Sequence, residues 1–161
     1  MSIPSTLTTV VDRSFSCPNL ERYIMPNGNP VFDIRNNSVI ETATNRLIAG
    51  AILSSNIHES VTTIGKEAFY ESCIASVDLH AGITTIEDYA FDYSDITQII
   101  CRATTPPTLG ESPFRLTNYS GRMKVPEESI SLYRSSWFLT DVGYLGWTNY
   151  RWGLVAIAEG E

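Results

Sequence analysis

Apolar residues recur along this chain with a period of 22, and that spacing predicts the fold. Three segments superimpose: 3–25, 57–79 and 79–101. In phase, the apolar columns read Ile3/Ile57/Leu79/Cys101, Leu7/Val61/Ile83, Val10/Ile64/Ile86, Phe15/Phe69/Phe91, Leu20/Ile74/Ile96 and Tyr23/Val77/Ile99. Thr-Thr pairs at 8–9, 62–63 and 84–85 repeat with them. A unit of this length cannot close a core alone. Each copy must stack its apolar face on its neighbours, which is the logic of a solenoid.

Within a unit the spacing predicts short elements. Ile74–Leu79 and Ile96–Cys101 read as strands, with Val61–Ile64 and Ile83–Ile86 as a second extended piece. Gly65–Phe69 and Glu87–Phe91 predict one helical or 3₁₀ turn that carries a phenylalanine inward. Phe15, Phe69 and Phe91 are then expected to stack as a ladder, each ring worth roughly 1.5–3 kcal/mol of burial. The interval from Ile3 to Ile57 is one period plus 32 residues. An inserted hairpin at about 26–56 accounts for the excess. Its strand-like runs contain Val31, Asp33, Val39 and Glu41 about an Arg35-Asn36-Asn37 turn. The hairpin is expected to project beside the first coil and shield its edge. Towards the C-terminus, Ile130, Tyr133 and Trp137 form one apolar stripe after Pro126-Glu127-Glu128, a helix start signal. That helix should cap the last coil.

The motif Val61-Thr-Thr-Ile-Gly-Lys-Glu-Ala-Phe69, the inserted hairpin at Asn29–Ala51, and the closing segment 104–109 followed by 123–138 resemble the BspA-type leucine-rich repeats. The resemblance implies a β-rich α/β solenoid, a right-handed superhelix with short strands and short helical turns. It also implies a bacterial surface protein that binds other proteins and has no enzymatic activity. The domain reading is 1–138 for the solenoid and 139–161 for an aromatic extension that ends in a final strand.

Composition narrows the function classes. Eighteen acidic against 11 basic residues give a net charge of −7, the wrong sign for tracking phosphates or anionic lipid. The longest apolar run, Leu47–Leu53, is far short of the roughly 20 residues that a membrane-spanning helix needs. Three separated cysteines, Cys17, Cys73 and Cys101, write neither a disulfide scaffold nor a zinc module, and each is expected to be buried. No nucleic acid, membrane, metal or cofactor is expected.

Chemistry-bearing residues read as structural. His58 and His80 are one period apart and should stack, yet no third metal ligand shares their phase. Glu87, Asp88, Asp92 and Asp95 lack the alternation about a glycine turn that calcium requires and should form a solvated acidic edge. Gly110-Glu-Ser112-Pro-Phe114 begins like a nucleophile elbow but has Phe where the second glycine belongs. The Asn-X-Ser sequons at Asn36 and Asn118 count only on an exported chain.

Two surfaces are candidates for protein binding. By strand phase Arg22, Ile24, Ser76, Asp78, Gln98, Ile100, Arg122 and Lys124 point outward. Tyr144, Trp147, Tyr150 and Trp152 form an aromatic tail of the residue types enriched at interface hot spots. An N-terminal coil without a lid would expose Leu7, Val10 and Phe15 and favour self-association. The expected function is a non-enzymatic binding or assembly module on the surface of a larger particle such as a phage virion. The alternative is a cell-surface adhesion domain that lacks its signal peptide. The Met1 start and the absence of an export signal favour the former.

Overall fold

In the computed structural model the described residues are 1–11, 13–15, 18–115, 121–138 and 153–158. The chain winds as stacked coils, and those from Ile57 onward each contribute one rung to two sheets. One sheet is wholly parallel. It consists of β5 (Ser76–Leu79), β7 (Gln98–Cys101), β9 (Arg122–Val125) and β10 (Gly153–Ala156), in the order β10-β9-β7-β5. Inward residues such as Val77, Leu79, Ile99, Cys101, Met123 and Val125 are buried, while their alternates face out. The second sheet contains the two-residue strands β4 (Thr63–Ile64), β6 (Thr85–Ile86) and β8 (Thr108–Leu109), also parallel. Strands this short persist because Ile64 and Ile86 are fully buried and every coil repeats the same pairing.

The connecting segments at 65–72 and 87–94 are successive tight turns and not the expected helical turn. Glu67, Glu71, Tyr89 and Tyr93 take φ values of 56°, 54°, 55° and 57°, a left-handed geometry in which a helix cannot continue. Alternate N–H groups therefore point along the stack. Those of Glu67, Phe69 and Glu71 donate to the carbonyls of Asp88, Ala90 and Asp92 at 3.1, 2.7 and 3.1 Å. Tyr89, Phe91 and Tyr93 repeat the pattern on Glu111, Pro113 and Arg115. The turn side is thus a third hydrogen-bonded ladder, and it pairs backbone groups that burial would otherwise strand.

Inside that ladder the aromatic stack holds different members from those expected. Phe69 and Phe91 stack at 5.0 Å with rings 4° from parallel, and Phe91 and Phe114 stack at 5.4 Å and 5°. Trp137 continues the row, tilted, at 6.1 Å from Phe114. Phe15 is not in it; it makes an edge contact with Tyr23 at 5.7 Å. Backbone occupies the place where Phe15 would stack. A Cβ on Gly50 would lie 1.9 Å from Cε1 of Phe69, so the bare glycine lies against the last ring.

Gly50 belongs to the insert, whose role also differs from expectation. Its strands β1 (Phe32–Arg35), β2 (Ser38–Glu41) and β3 (Arg46–Gly50) form an antiparallel meander, and β3 pairs in parallel with β4. The insert therefore extends the sheet, in the order β1-β2-β3-β4-β6-β8, and does not project from it. Asn36 and Asn37 take φ of 46° and 64°, the left-handed pair that a two-residue hairpin loop demands and asparagine tolerates. Val39, Ile40, Leu47, Ala49 and Ala51 are buried, so the insert is part of the core.

Two apolar clusters result. The larger runs from Ile40 and Leu47 through the coils to Tyr133 and Trp137. The smaller joins Ile3, Tyr23, Phe32, Val39, Ala49 and Ala51, with Leu7, Val10 and Phe15 packed half-buried against it. The N-terminal ladder ends are therefore covered by the meander and not laid bare.

At the other end, a 3₁₀ turn (Glu127–Ser129) leads into α1 (Ile130–Tyr133) and a wider turn at Arg134–Phe138. Tyr133 and Trp137 are buried there. The Tyr133 hydroxyl donates to Ala103 O at 2.8 Å, and Trp137 Nε1 donates to Pro107 O at 2.9 Å.

Candidate functional site

The outward face of the parallel sheet brings six of the expected residues into two in-register rows. One row is Ser76, Gln98 and Arg122; the other is Asp78, Ile100 and Lys124, with Val155 of β10 beyond it. An isolated bridge from Asn56 to Asp78 adds one more rung. Arg22 and Ile24 are exposed, as their phase requires, but Ile24 bridges to Ser2 and its rung stays outside this sheet. The insert intervenes between that rung and Asn56. Asp78 is not a free charge: Arg102 grips it with both nitrogens, at 2.7 Å from NH2 and 2.9 Å from Nε. Tyr144, Trp147, Tyr150 and Trp152 lie outside the described residues.

The histidines are turn caps. His80 Nδ1 accepts from Gly82 N at 3.0 Å while its Nε2 meets His58 O at 3.2 Å, and His58 Nδ1 accepts from Ser60 N at 3.1 Å. Both His80 nitrogens are thereby engaged by backbone groups. Among the described residues no group of three or more His, Cys, Asp or Glu could hold a metal.

The acidic edge is solvated only in part: Asp95 is exposed, as its reading in sequence expects, whereas Glu87, Asp88 and Asp92 are engaged by neighbouring coils. Glu87 is gripped by Arg46, with NH2 2.6 Å from Oε2, and also accepts from Lys66 N at 2.7 Å. Asp88 accepts from Glu111 N at 2.6 Å. The Asp92 side chain is fully buried and paired with Arg115 at 2.9 Å. Burial pushes its carboxyl above the ordinary range while the Arg115 hydrogen bond pulls the other way. These carboxylates strap one coil to the next. A second correction concerns Cys73, which is exposed, whereas Cys101 is buried. Partial desolvation and the Asp95 carboxylate raise the Cys73 thiol, so it is not poised as a reactive thiolate.

One surface was not singled out in sequence. On the turn side, Arg13 lies 4.2 Å over the Tyr70 ring, Tyr70 meets Tyr93 at 5.6 Å, and Arg115 lies 5.1 Å over Tyr89. The signal was available as one tyrosine or arginine per coil: Arg13 and Glu67 share a repeat position, 54 residues apart like Ile3 and Ile57, but the 23-residue step from Tyr70 to Tyr93 puts the tyrosines one residue out of phase.

Residues 47–142, more than half of the chain, match the family described as BspA type Leucine rich repeat region (6 copies). The chain belongs to that family. No curated protein matches the sequence. Leucine-rich repeats of this type serve as protein-interaction modules and are generally non-enzymatic. Nothing at Ser112 supports catalysis: it is buried with φ 44°, and Phe114 two residues on is a ring of the stack. No helix among the described residues is long and apolar enough to cross a membrane.

Proposed function

We propose that this BspA-type repeat protein is a docking module whose protein-binding face is the outward side of the parallel sheet. The observation that carries this reading is the pair of in-register rows, in which Ile100 and Val155 lie among Gln98, Arg122 and Lys124. Val155 is 39% exposed. A rigid parallel scaffold holds these side chains at fixed spacing, which lowers the entropy cost of forming an interface. In this reading the coils wind right-handed, 1–138 is the solenoid, α1 closes its C-terminal end, and the aromatic extension from 139 adds to the interface. The module sits on the surface of a larger particle, such as a virion, or on a cell surface. The half-buried state of Leu7, Val10 and Phe15 takes away the exposed coil that favoured self-association, so the expected partner is a different protein.

A photo-crosslinking residue at position 100 tests this in extracts of the source cells or particles. It should trap a discrete protein, and Lys124→Glu in the same chain should weaken the trapping. The same crosslinker at exposed Glu128 serves as the control. Equal trapping at both positions, or none at 100, refutes the assignment.

A further inference from the structure

Where the first repeat meets the turn at 65–72, a cleft of about 180 Å³ opens, lined by Arg13, Phe15, Glu41, Ile48, Lys66 and Glu67 among others. The Glu67 side chain is only 5% exposed. Its Oε1 accepts from Arg13 Nε at 2.9 Å, but its Oε2, buried, has no hydrogen-bond partner among the described residues. A buried carboxylate oxygen without a donor is costly, and native structures rarely leave one unless something else supplies the proton. We infer that this cleft binds a neutral polyhydroxyl ligand, a single sugar residue, with the Glu67 carboxylate turning to present its unpartnered oxygen to one of the ligand's hydroxyls.

Charge, chemistry and size all favour that class. Arg46 also lines the cleft, but its guanidinium is taken by Glu87 in a two-point grip. The remaining charges balance, with Arg13 and Lys66 against Glu41 and Glu67, so a ligand carrying net charge would unbalance them. A hydroxyl suits such a mixed lining because it donates to a carboxylate and accepts from a cation in the same site. Phe15 and Ile48, both half-buried, supply an apolar wall for the C–H face of a sugar. The volume equals that of about six waters at ~30 Å³ each, room for one ring and not for a chain. Gly50, held against Phe69, also lines the cleft and fixes its floor. A second groove, of about 320 Å³ and lined by Ile83, Ala103 and Pro106 among others, contains no such unpartnered buried oxygen.

The test is an NMR titration of uniformly ¹⁵N-labelled protein. The sugar probes are methyl α-glucoside, methyl α-galactoside and N-acetylglucosamine; n-butylammonium and acetate serve as charged probes. At least one sugar should give saturable shifts at the amides of Gly50 and Lys66–Tyr70. Glu67→Gln keeps the shape but replaces the carboxylate by a neutral amide, and should abolish those shifts while leaving the rest of the amide spectrum in place. Should Glu67→Gln alter the overall amide spectrum, Glu67→Asp, which withdraws the carboxylate by one methylene, should weaken the same sugar at least tenfold. Three results would overturn the assignment: no saturable sugar, as for a cleft that holds only water; saturation by butylammonium or acetate in place of sugar; or sugar shifts unchanged in both Glu67 variants.

Discussion

Replacing Phe91 by alanine removes the middle ring of the aromatic stack. Phe91 is fully buried, with parallel neighbours at 5.0 Å and 5.4 Å on its two faces. Truncating a buried phenylalanine costs about 3–5 kcal/mol once the residual cavity is included. The upper half of that range applies here, because both neighbouring rings are held in place by the turn ladder and cannot collapse inward. With a urea slope of about 2 kcal/mol per molar, a 4 kcal/mol loss moves the unfolding midpoint down by roughly 2 M. Phe15→Ala is the control. That ring is half-buried and makes a single edge contact with Tyr23, so its loss should cost only about 1 kcal/mol, half of a full burial. Urea titrations followed by far-UV circular dichroism measure both. Equal losses in the two variants would refute the assignment of Phe15 to a place outside the stack; a Phe91→Ala loss below about 1 kcal/mol would refute the stack as a stabilising element.

Gly50→Ala should destabilise by about 1–3 kcal/mol through overpacking against Phe69, and Phe69→Leu in the same chain should recover part of that loss in a double-mutant cycle. Asp92 has a folded-state carboxyl raised above its ordinary value of 3.8, so its ionisation favours unfolding. Its contribution is full below about pH 3.8 and declines as pH rises through the raised value. The stability of the parent relative to Asp92→Asn should therefore fall between about pH 3.5 and neutrality, and a difference that grew with pH would contradict this. Asp33→Val should free the Ile34 N–H at the outer edge of β1, now held by Asp33 Oδ1 at 2.8 Å, and produce concentration-dependent association by light scattering.

The coil phase was legible because it is written in apolar residues at a constant step, and the two sheets follow from it. Phe114 escaped because the step lengthens to 23 from Phe91 to Phe114, and the surrounding Gly110-Glu-Ser112 suggested a different motif. The turn geometry left no trace, since Glu67, Glu71, Tyr89 and Tyr93 are not residues that announce a left-handed backbone; the inter-coil ladder imposes it. The straps Arg46–Glu87, Asp78–Arg102 and Asp92–Arg115 join residues of different coils, so no local pattern could pair them. Arg13 and Glu67 share a repeat position and so could be paired from the alignment, but the cleft between them also takes Glu41, Ile48 and Gly50 from the insert, which no repeat phase places. The outward sheet residues were readable because period-two alternation alone decides them.

The meander also settles how this array ends. Just before β1, Pro30 has no N–H to offer; within it, Phe32 N is taken by Asn29 Oδ1 at 2.9 Å and Ile34 N by Asp33 Oδ1 at 2.8 Å. The outer edge thus offers none of these three positions as a free N–H donor. On its inner side β3 presents a parallel edge that accepts any coil in the phase of Thr63–Ile64. Residues 29–51 thus behave as a terminator with a universal coupling, antiparallel and without those three donors outside, parallel and receptive inside. Such a piece is portable: fused ahead of an unrelated array of these repeats, it should start the stack in register and keep its first coil from joining a neighbour.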